Sequence, residues 1–442
     1  MCNMGISQAM RPQISPQPSA RGLTGRGYAS ASIIILILVY LKIHLSITGF
    51  GVPYFYAFVV SLYVAVMSVG ISAIFSACYA FFLYLVAQYF FSSFHIFHPG
   101  KADIQYILYW MTNLVTIFSL CVSLKRSDVG RLDMWIRVLL YALIVIAFLE
   151  VYGGVKPFID SVRKLYTSTS SFYDAADRDV RQYGRIRPTA FASEPSSLGN
   201  FFGALWLLYV FWRGASISRW VESGAMMIVA VFLFRTPTLF AYLVVAALLL
   251  VYSNRQVRGI AMPLAALLVC LVAVLPYAAY SARYDLENKS MREFVSTGSF
   301  FIRNITPINT FFDMIEERPL FGFGGGYLDA AQAGNIGEIY SRFRGFYTYD
   351  RISSMPSSTF ITNSFWEFFI VNGFVGSLIL GWLYRRMFLR FGVKNFMLLA
   401  MLSMALWTSH AGLILTFTWV PVVVLVVILS RMDDPSATAG RQ

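Results

Sequence analysis

The chain has 442 residues, of which 57% are hydrophobic and 13% charged, with a mean hydropathy of +0.63. Soluble domains carry about 25% charged residues, so this composition excludes a cytosolic enzyme, a secreted disulfide scaffold and any fold built on one water-facing core. The formal net charge of +13, from 35 Lys+Arg against 22 Asp+Glu, is ordinary for a polytopic membrane protein, whose basic residues gather in cytoplasmic loops without any nucleic acid.

Residues 1–30, rich in Gly, Ser, Pro and Gln with Arg11, Arg21 and Arg26, read as a disordered basic cytoplasmic tail. A spanning helix needs about 20 mostly apolar residues. Runs of that kind follow at 31–50, 54–73, 74–94, 103–124, 134–153, 195–212, 259–280 and 360–382. The first has no small-residue cleavage pattern after it and reads as a retained helix. Residues 221–252 are long for one span and short for two, and 395–430 are interrupted by Thr408-Ser409-His410-Ala411-Gly412.

Charge decides both cases. With the tail inside, Lys125, Arg126 and Arg131, then Arg213 and Arg219, Arg255 and Arg258, Arg385, Arg386, Arg390 and Lys394, and finally Arg431 share the cytoplasmic side only under one condition. Residues 221–252 must form a hairpin of two short helices turning at Arg235-Thr236-Pro237. The sequence therefore predicts an all-α polytopic membrane protein of about 12 transmembrane helices with both termini cytoplasmic. N-terminal spans occupy 31–153, a long outer loop 154–194, central spans 195–280, a larger outer loop 281–359, C-terminal spans 360–431 and a cytoplasmic tail 432–442. Cys78, Cys121 and Cys270 sit inside apolar runs and Cys2 in the tail, which gives neither a disulfide framework nor zinc spacing.

The unusual polar residues collect on the predicted outer face. Arg235 interrupts an apolar hairpin, where an arginine is costly unless it snorkels or holds an anion, and its planar fork suits phosphate. Arg185 and Arg187 lead into Glu194, and Pro195 fits the first helical position. Glu194 then reads as a helix cap or as a base near a helix N-terminus. Arg303 lies in the larger loop, ahead of Pro319-Leu320-Phe321-Gly322-Phe323-Gly324. His410 falls at the turn between the last two helices. His44, His95 and His98 read as interfacial. Asp177-Arg178-Asp179 offers two carboxylates to a divalent cation, but it stands among arginines and reads as a solvated loop face. Phe346, Tyr347 and Tyr349 are candidates to stack on sugars.

The stretch Arg187-x-x-x-Phe191-x-x-Glu194-Pro195-Ser196 resembles the segment that opens the core of the O-antigen polymerase and ligase superfamily. Phe234-Arg235-Thr236 resembles its Ser-Arg-Thr hairpin, with Phe234 in place of serine. Arg303 with its following Pro-Leu-Phe-Gly-x-Gly, and Asn363-Ser364-Phe365-x-Glu367 with Gly373 and Gly376, resemble its two later blocks. The blocks run in family order across residues 185–382.

The resemblance implies a GT-C-like, metal-independent membrane glycosyltransferase without a cofactor, a Wzy-type enzyme of the bacterial inner membrane with its two long loops in the periplasm. It would transfer glycan between undecaprenyl-pyrophosphate-linked oligosaccharides in the lipid bilayer, with a flippase and a chain-length regulator as partners and no nucleic acid. Arg235 and Arg303 would clamp the leaving pyrophosphate, Glu194 would act as base, and Arg185, Arg187, Asn363 and His410 would bind substrate. Ligases of the superfamily resemble one another in a histidine just before that asparagine, where this chain has Thr362, so the expectation is a polymerase rather than a ligase, with His410 as a compensating histidine. A flippase for lipid-linked oligosaccharide is the rival from another class. It would place ionisable residues at mid-membrane depth along a cavity rather than at one face.

Overall fold

The computed structural model describes residues 23–47, 50–92, 101–166, 179–180, 183–212, 216–254, 256–281, 303, 306–324, 363–408, 410 and 415–433. In chain order the main helices are α1 (Gly25–Leu41), α2 (Phe55–Val69), α3 (Ile71–Ser92), α4 (Lys101–Arg126), α5 (Val129–Tyr152), α6 (Lys156–Lys164) and α7 (Pro195–Trp212). They continue with α8 (Ile217–Phe234), α9 (Thr238–Ser253), α10 (Ala261–Ser281), α11 (Thr306–Glu317), α12 (Ser364–Arg390), α13 (Phe396–Trp407) and α14 (Thr416–Asp433). Five of these helices contain segments long and apolar enough to cross a membrane, at Tyr106–Arg126, Val129–Tyr152, Ile217–Phe234, Ser364–Arg390 and Thr416–Asp433. Shorter apolar helices accompany them. The outer surface carries large apolar side chains such as Phe148, Phe232 and Leu378, as a lipid-facing surface requires.

The beginning of the chain departs from expectation twice. Helix α1 starts at Gly25 rather than after residue 30, because Thr24 in extended conformation caps it by accepting from the Gly27 N–H at 3.2 Å. It also ends at Leu41. The rest of the expected 31–50 span turns into a short antiparallel ladder, β1 (His44–Ile47) on β2 (Phe50–Pro53), with Ile47 opposite Phe50. Gly49, Gly51 and Pro53 explain this, since each opposes helix continuation. The fold is thus mostly helical, with this one short ladder among the described residues.

Hydrogen bonds sort the helix ends into two groups. At one end the Asp128 N–H donates to Gly25 O, Arg126 to Ser68 O, Trp212 Nε1 to Val129 O, Arg431 to Trp212 O and Lys125 Nζ to Phe391 O. Asp433 collects Tyr252, Arg258 and the Lys394 N–H there. At the other end Tyr40 and Lys42 reach the 189–197 segment, and Ser364 reaches His410. Successive long helices therefore run alternately between an Asp433 end and a Glu194 end. Helices α7 and α14 lie in the interior, with nearly every residue buried. Gly199 and Gly203 on α7 admit α9 closely: a Cβ at Gly203 would lie 2.5 Å from Tyr242 Cγ, and one at Gly199 would lie 2.8 Å from Thr238 Oγ1.

The apolar stretch 221–252 folds as α8 and α9 with its turn at 235–237. Helix α12 is broken at Gly373, whose φ of 64° and ψ of −173° lie in a region open essentially to glycine alone. Segment 319–324 fills the break. The N–H groups of Phe323 and Gly324 donate to Ile370 O and Val371 O at 2.9 and 3.0 Å, while those of Phe374 and Val375 donate to Pro319 O and Leu320 O at 2.8 and 2.9 Å. From α3, Gln88 donates to Val371 O and Tyr84 donates to Asn372 Oδ1, each at 2.8 Å. Every backbone group freed by the break thus named has a protein partner, which is what allows irregular backbone inside such a bundle. The two glycine-containing blocks of the sequence are the two halves of this one interlock.

Candidate functional site

Glu194 is presented by a strained loop. Ala190 and Phe191 hold φ of 43° and 72°, left-handed values that cost non-glycine residues on the order of 1–3 kcal/mol each. Their neighbours over-determine them. The buried Glu150 carboxylate, at the end of α5, accepts from the Thr189 N–H at 2.8 Å, the Thr189 hydroxyl at 3.0 Å and the Ala190 N–H at 2.8 Å. Lys156 balances its charge at 3.3 Å. Tyr40 donates to Ala190 O at 2.7 Å, Tyr166 to Phe191 O at 2.5 Å and the buried Arg163 to Ser193 O at 2.7 Å. The loop delivers Glu194 as the residue before α7, its carbonyl accepting from Ser197 and Leu198, with Pro195 opening the helix.

Four ionisable side chains converge here from distant parts of the chain. Burial pushes the Glu194 carboxyl up, but Lys42, Arg303, the Ser196 hydroxyl and Arg187 together outweigh it, and the group is held below the usual carboxylate range. Burial pushes the Lys42 ammonium down, with Glu194 opposing. His410, 2% exposed, is pushed down to about 4 by burial, opposed by its bond to Leu406 and by Glu194 and helped by Lys42 and Arg303. At neutral pH Glu194 is ionised and His410 neutral. Its Nδ1 lies 2.8 Å from Leu406 O. A carbonyl only accepts, so Nδ1 carries the proton and Nε2 the lone pair.

The backbone ties the later blocks to this cluster. Asn363 caps α12 by accepting from the Phe365 N–H at 3.1 Å, and its Nδ2 donates to Arg303 O at 3.0 Å. The Ser364 N–H and hydroxyl both donate to His410 O, at 2.9 and 3.1 Å. Lys42 Nζ donates to Ser197 Oγ at 3.1 Å and lies 4.8 Å from the centre of the Phe417 ring. The starts of α7, α12 and α14 thus meet around two cations and one carboxylate, and helix N-termini favour anions.

The other predicted residues take a different place. Arg235 is the exposed left-handed cap of α8, φ 48°, and its guanidinium donates to Tyr183 O. Arg185 donates to the Tyr152 hydroxyl and to Phe232 O, and burial and the neighbouring Arg235 charge push it down. Arg187 bridges Asp179 at 3.0 Å and stacks on Tyr183. Arg303 and Arg235 therefore meet different partners, with Arg303 in the Glu194 cluster and Arg235 beside Arg185. Asp179 serves Arg187. Asp177, Arg178, His95, His98, Phe346, Tyr347, Tyr349 and Thr362 lie outside the described residues.

Sequence reasoning missed Lys42, Glu150, Arg163 and Tyr40. None stands in a motif, and the contacts of Lys42, Tyr40, Glu150 and Arg163 to the Glu194 loop span 30 to 155 positions. No protein-family model matches the chain, and no curated protein matches its sequence.

Proposed function

We propose that this chain is a twelve-span bacterial inner-membrane glycosyltransferase, both termini cytoplasmic, that polymerises undecaprenyl-pyrophosphate-linked repeat units of an O-antigen, exopolysaccharide or capsule at the periplasmic face. The observation that carries the reading is the convergence of Arg303, Glu194, Asn363 and His410 at one end of the bundle. In the transfer, the bond from the sugar's anomeric carbon to the diphosphate breaks as the acceptor hydroxyl attacks that carbon. Charge grows on the leaving diphosphate, and fixed cations in a water-poor site stabilise it without reorganising. Arg303 has that role, with Lys42 in the same cluster. Glu194, ionised and a weak base, orients the acceptor hydroxyl and takes its proton as the new bond forms. Arg185 and Arg235 form a second cationic pair at the rim, suited to the diphosphate of the acceptor lipid.

A second reading, an O-antigen ligase, draws on one contact. His410 O is bonded to Ser364, so a histidine stands beside the Asn363 cap in space although Thr362 precedes it in sequence. The acceptor distinguishes the two: a second lipid-linked repeat for the polymerase, a lipid A-core oligosaccharide for the ligase.

The test is full-length protein in vesicles with synthetic lipid-linked repeat units, read as a product ladder. Wild type extends the repeat, and Glu194→Gln and Arg303→Ala each lose at least about 100-fold in rate, the scale of a lost charge-stabilising donor, at unchanged protein level. A full ladder from Arg303→Ala removes the proposed site.

A further inference from the structure

Helix α1 stops at Lys42 in a left-handed conformation, φ 49° and ψ 43°, its N–H closing on Val39 O at 3.3 Å. A glycine takes that conformation at no steric cost, so the backbone alone gives no reason for a lysine. Its side chain gives one. The ammonium runs in beside the first turn of α7, over the face of Phe417 at the first turn of α14, and donates to Ser197, three residues past Glu194. Two residues earlier Tyr40 donates to the backbone of Thr189 and Ala190, so the end of α1 is fastened to the Glu194 loop and the ammonium position is fixed with it.

An ammonium has three N–H donors. Ser197 takes one of them and the Phe417 ring offers a π face. Among the described residues no carboxylate lies within 4.0 Å of Nζ, and Glu194 balances its charge from farther off. Arg303 acts electrostatically on the same two groups as Lys42, namely Glu194 and His410. Two cations facing one carboxylate and one neutral imidazole leave the cluster with an excess positive charge, in a setting where helix N-termini add more of the same sign.

We propose that Lys42 is a substrate-binding residue of the site, its ammonium taking a phosphate oxygen of the lipid-linked diphosphate while Arg303 takes the other phosphate. This rests on the glycosyltransferase reading for the identity of the anion. No atom of Lys42 is consumed: it holds the diphosphate before and after the sugar leaves.

The experiment measures binding of inorganic pyrophosphate to full-length protein in nanodiscs, and separately the rate of ladder formation from lipid-linked repeat units, for wild type, Lys42→Met, Lys42→Arg and Ser197→Ala. Lys42→Met keeps the length and apolar stem and removes the charge. It should weaken pyrophosphate binding and raise KM by about 10- to 100-fold, the range of one charge-assisted hydrogen bond. Lys42→Arg should recover most of both, and Ser197→Ala, which removes only the anchor, should change each less than threefold. Equal pyrophosphate affinity in Lys42→Met and wild type overturns the assignment while leaving the enzyme reading intact if wild type still builds a ladder. A Ser197→Ala defect as large as that of Lys42→Met overturns it too, because Lys42 would then be a structural tie. A wild type that binds no pyrophosphate and builds no ladder brings down both this assignment and the reading beneath it.

Discussion

The two ends of the bundle use the same residue types to opposite effect. At the Asp433 end cations meet carboxylates directly: Arg258 on Asp433, Arg219 on Asp133 and Arg137 on Glu222. Tyr252, Tyr141 and Tyr209 take up further carboxylate lone pairs. At the Glu194 end the direct pairs, Glu150 with Lys156, Asp160 with Arg163 and Asp179 with Arg187, form a collar. Inside it Lys42 and Arg303 act on Glu194 across space, and two residues of the loop between collar and cluster are held in left-handed backbone. One end joins several of its charges in direct pairs. The other spends its pairs on holding a few charges apart.

The largest effect expected belongs to the frame that carries both ends. Gly373→Ala puts a Cβ 2.6 Å from the Leu320 carbonyl at a φ/ψ that only glycine takes comfortably. We expect a loss of about 3 kcal/mol or more, read as collapse of folded yield in detergent. Gly381→Ala, in the same helix with open space at its Cβ, should behave as wild type. Equal yields from the two would show that the interlock contributes little.

Next comes a direct contrast between the ends. Glu150→Gln neutralises the acceptor that holds 189–190 and leaves Lys156 with Asp160 as its one bridged carboxylate. It should lower the transfer rate by about 10-fold or more, since displacement of a positioned group by an ångström has effects of that order. Asp433→Asn should lower thermal stability and leave the rate per folded molecule within twofold. A reversal of this pattern would erase the distinction between the two ends.

The pH dependence of stability sharpens the same contrast. His410 folds with its pKa lowered to about 4, so the unfolded chain binds more protons than the folded one below about 6.5. Its contribution is fully present above that value and is lost as pH falls toward 4, an integrated change of about 3 kcal/mol. Glu194, also lowered, adds a loss at still more acid pH, as pH falls from the ordinary carboxylate value through its own. Denaturant midpoints measured between pH 7 and 4 should fall steeply in wild type and less steeply in His410→Gln. Superimposable curves would mean that His410 titrates freely. The smallest effect is expected from Arg137→Ala at the opposite end: this exposed pair on Glu222 should change stability by no more than about 1 kcal/mol.

Much of the helical order was legible because apolar length and the sign of loop charge are properties of continuous stretches. The turn at Arg235-Thr236-Pro237 was found by charge parity alone. Glu194, Arg303 and His410 stood out by their place in the chain and Asn363 through the family resemblance alone, and the fold brings these four to one end. What did not show was Lys42, which reads locally as any polar residue closing an apolar run, and Glu150, which reads as an acidic residue at a helix end. Their roles are set by loops arriving 155 and 39 positions later. The ladder at 44–53 was lost for a related reason: hydropathy carried the first span on to residue 50 and began the next at 54, without weighing the backbone chemistry of the residues between. The partition of arginines into a central Arg303 and a peripheral Arg185–Arg235 pair has no counterpart in sequence spacing.

The interlock at Gly373 also bears on how the protein is built. The ribosome delivers residues 319–324 before 364–390, and the carbonyls of Ile370 and Val371 have no helical partner until the earlier segment reaches them. Helix α12 therefore cannot settle into its broken form by itself; it needs a piece of chain already translated. A chain whose earlier segment goes astray would present an unsatisfied helix to the insertion and quality-control machinery before its last two helices, α13 and α14, have been made.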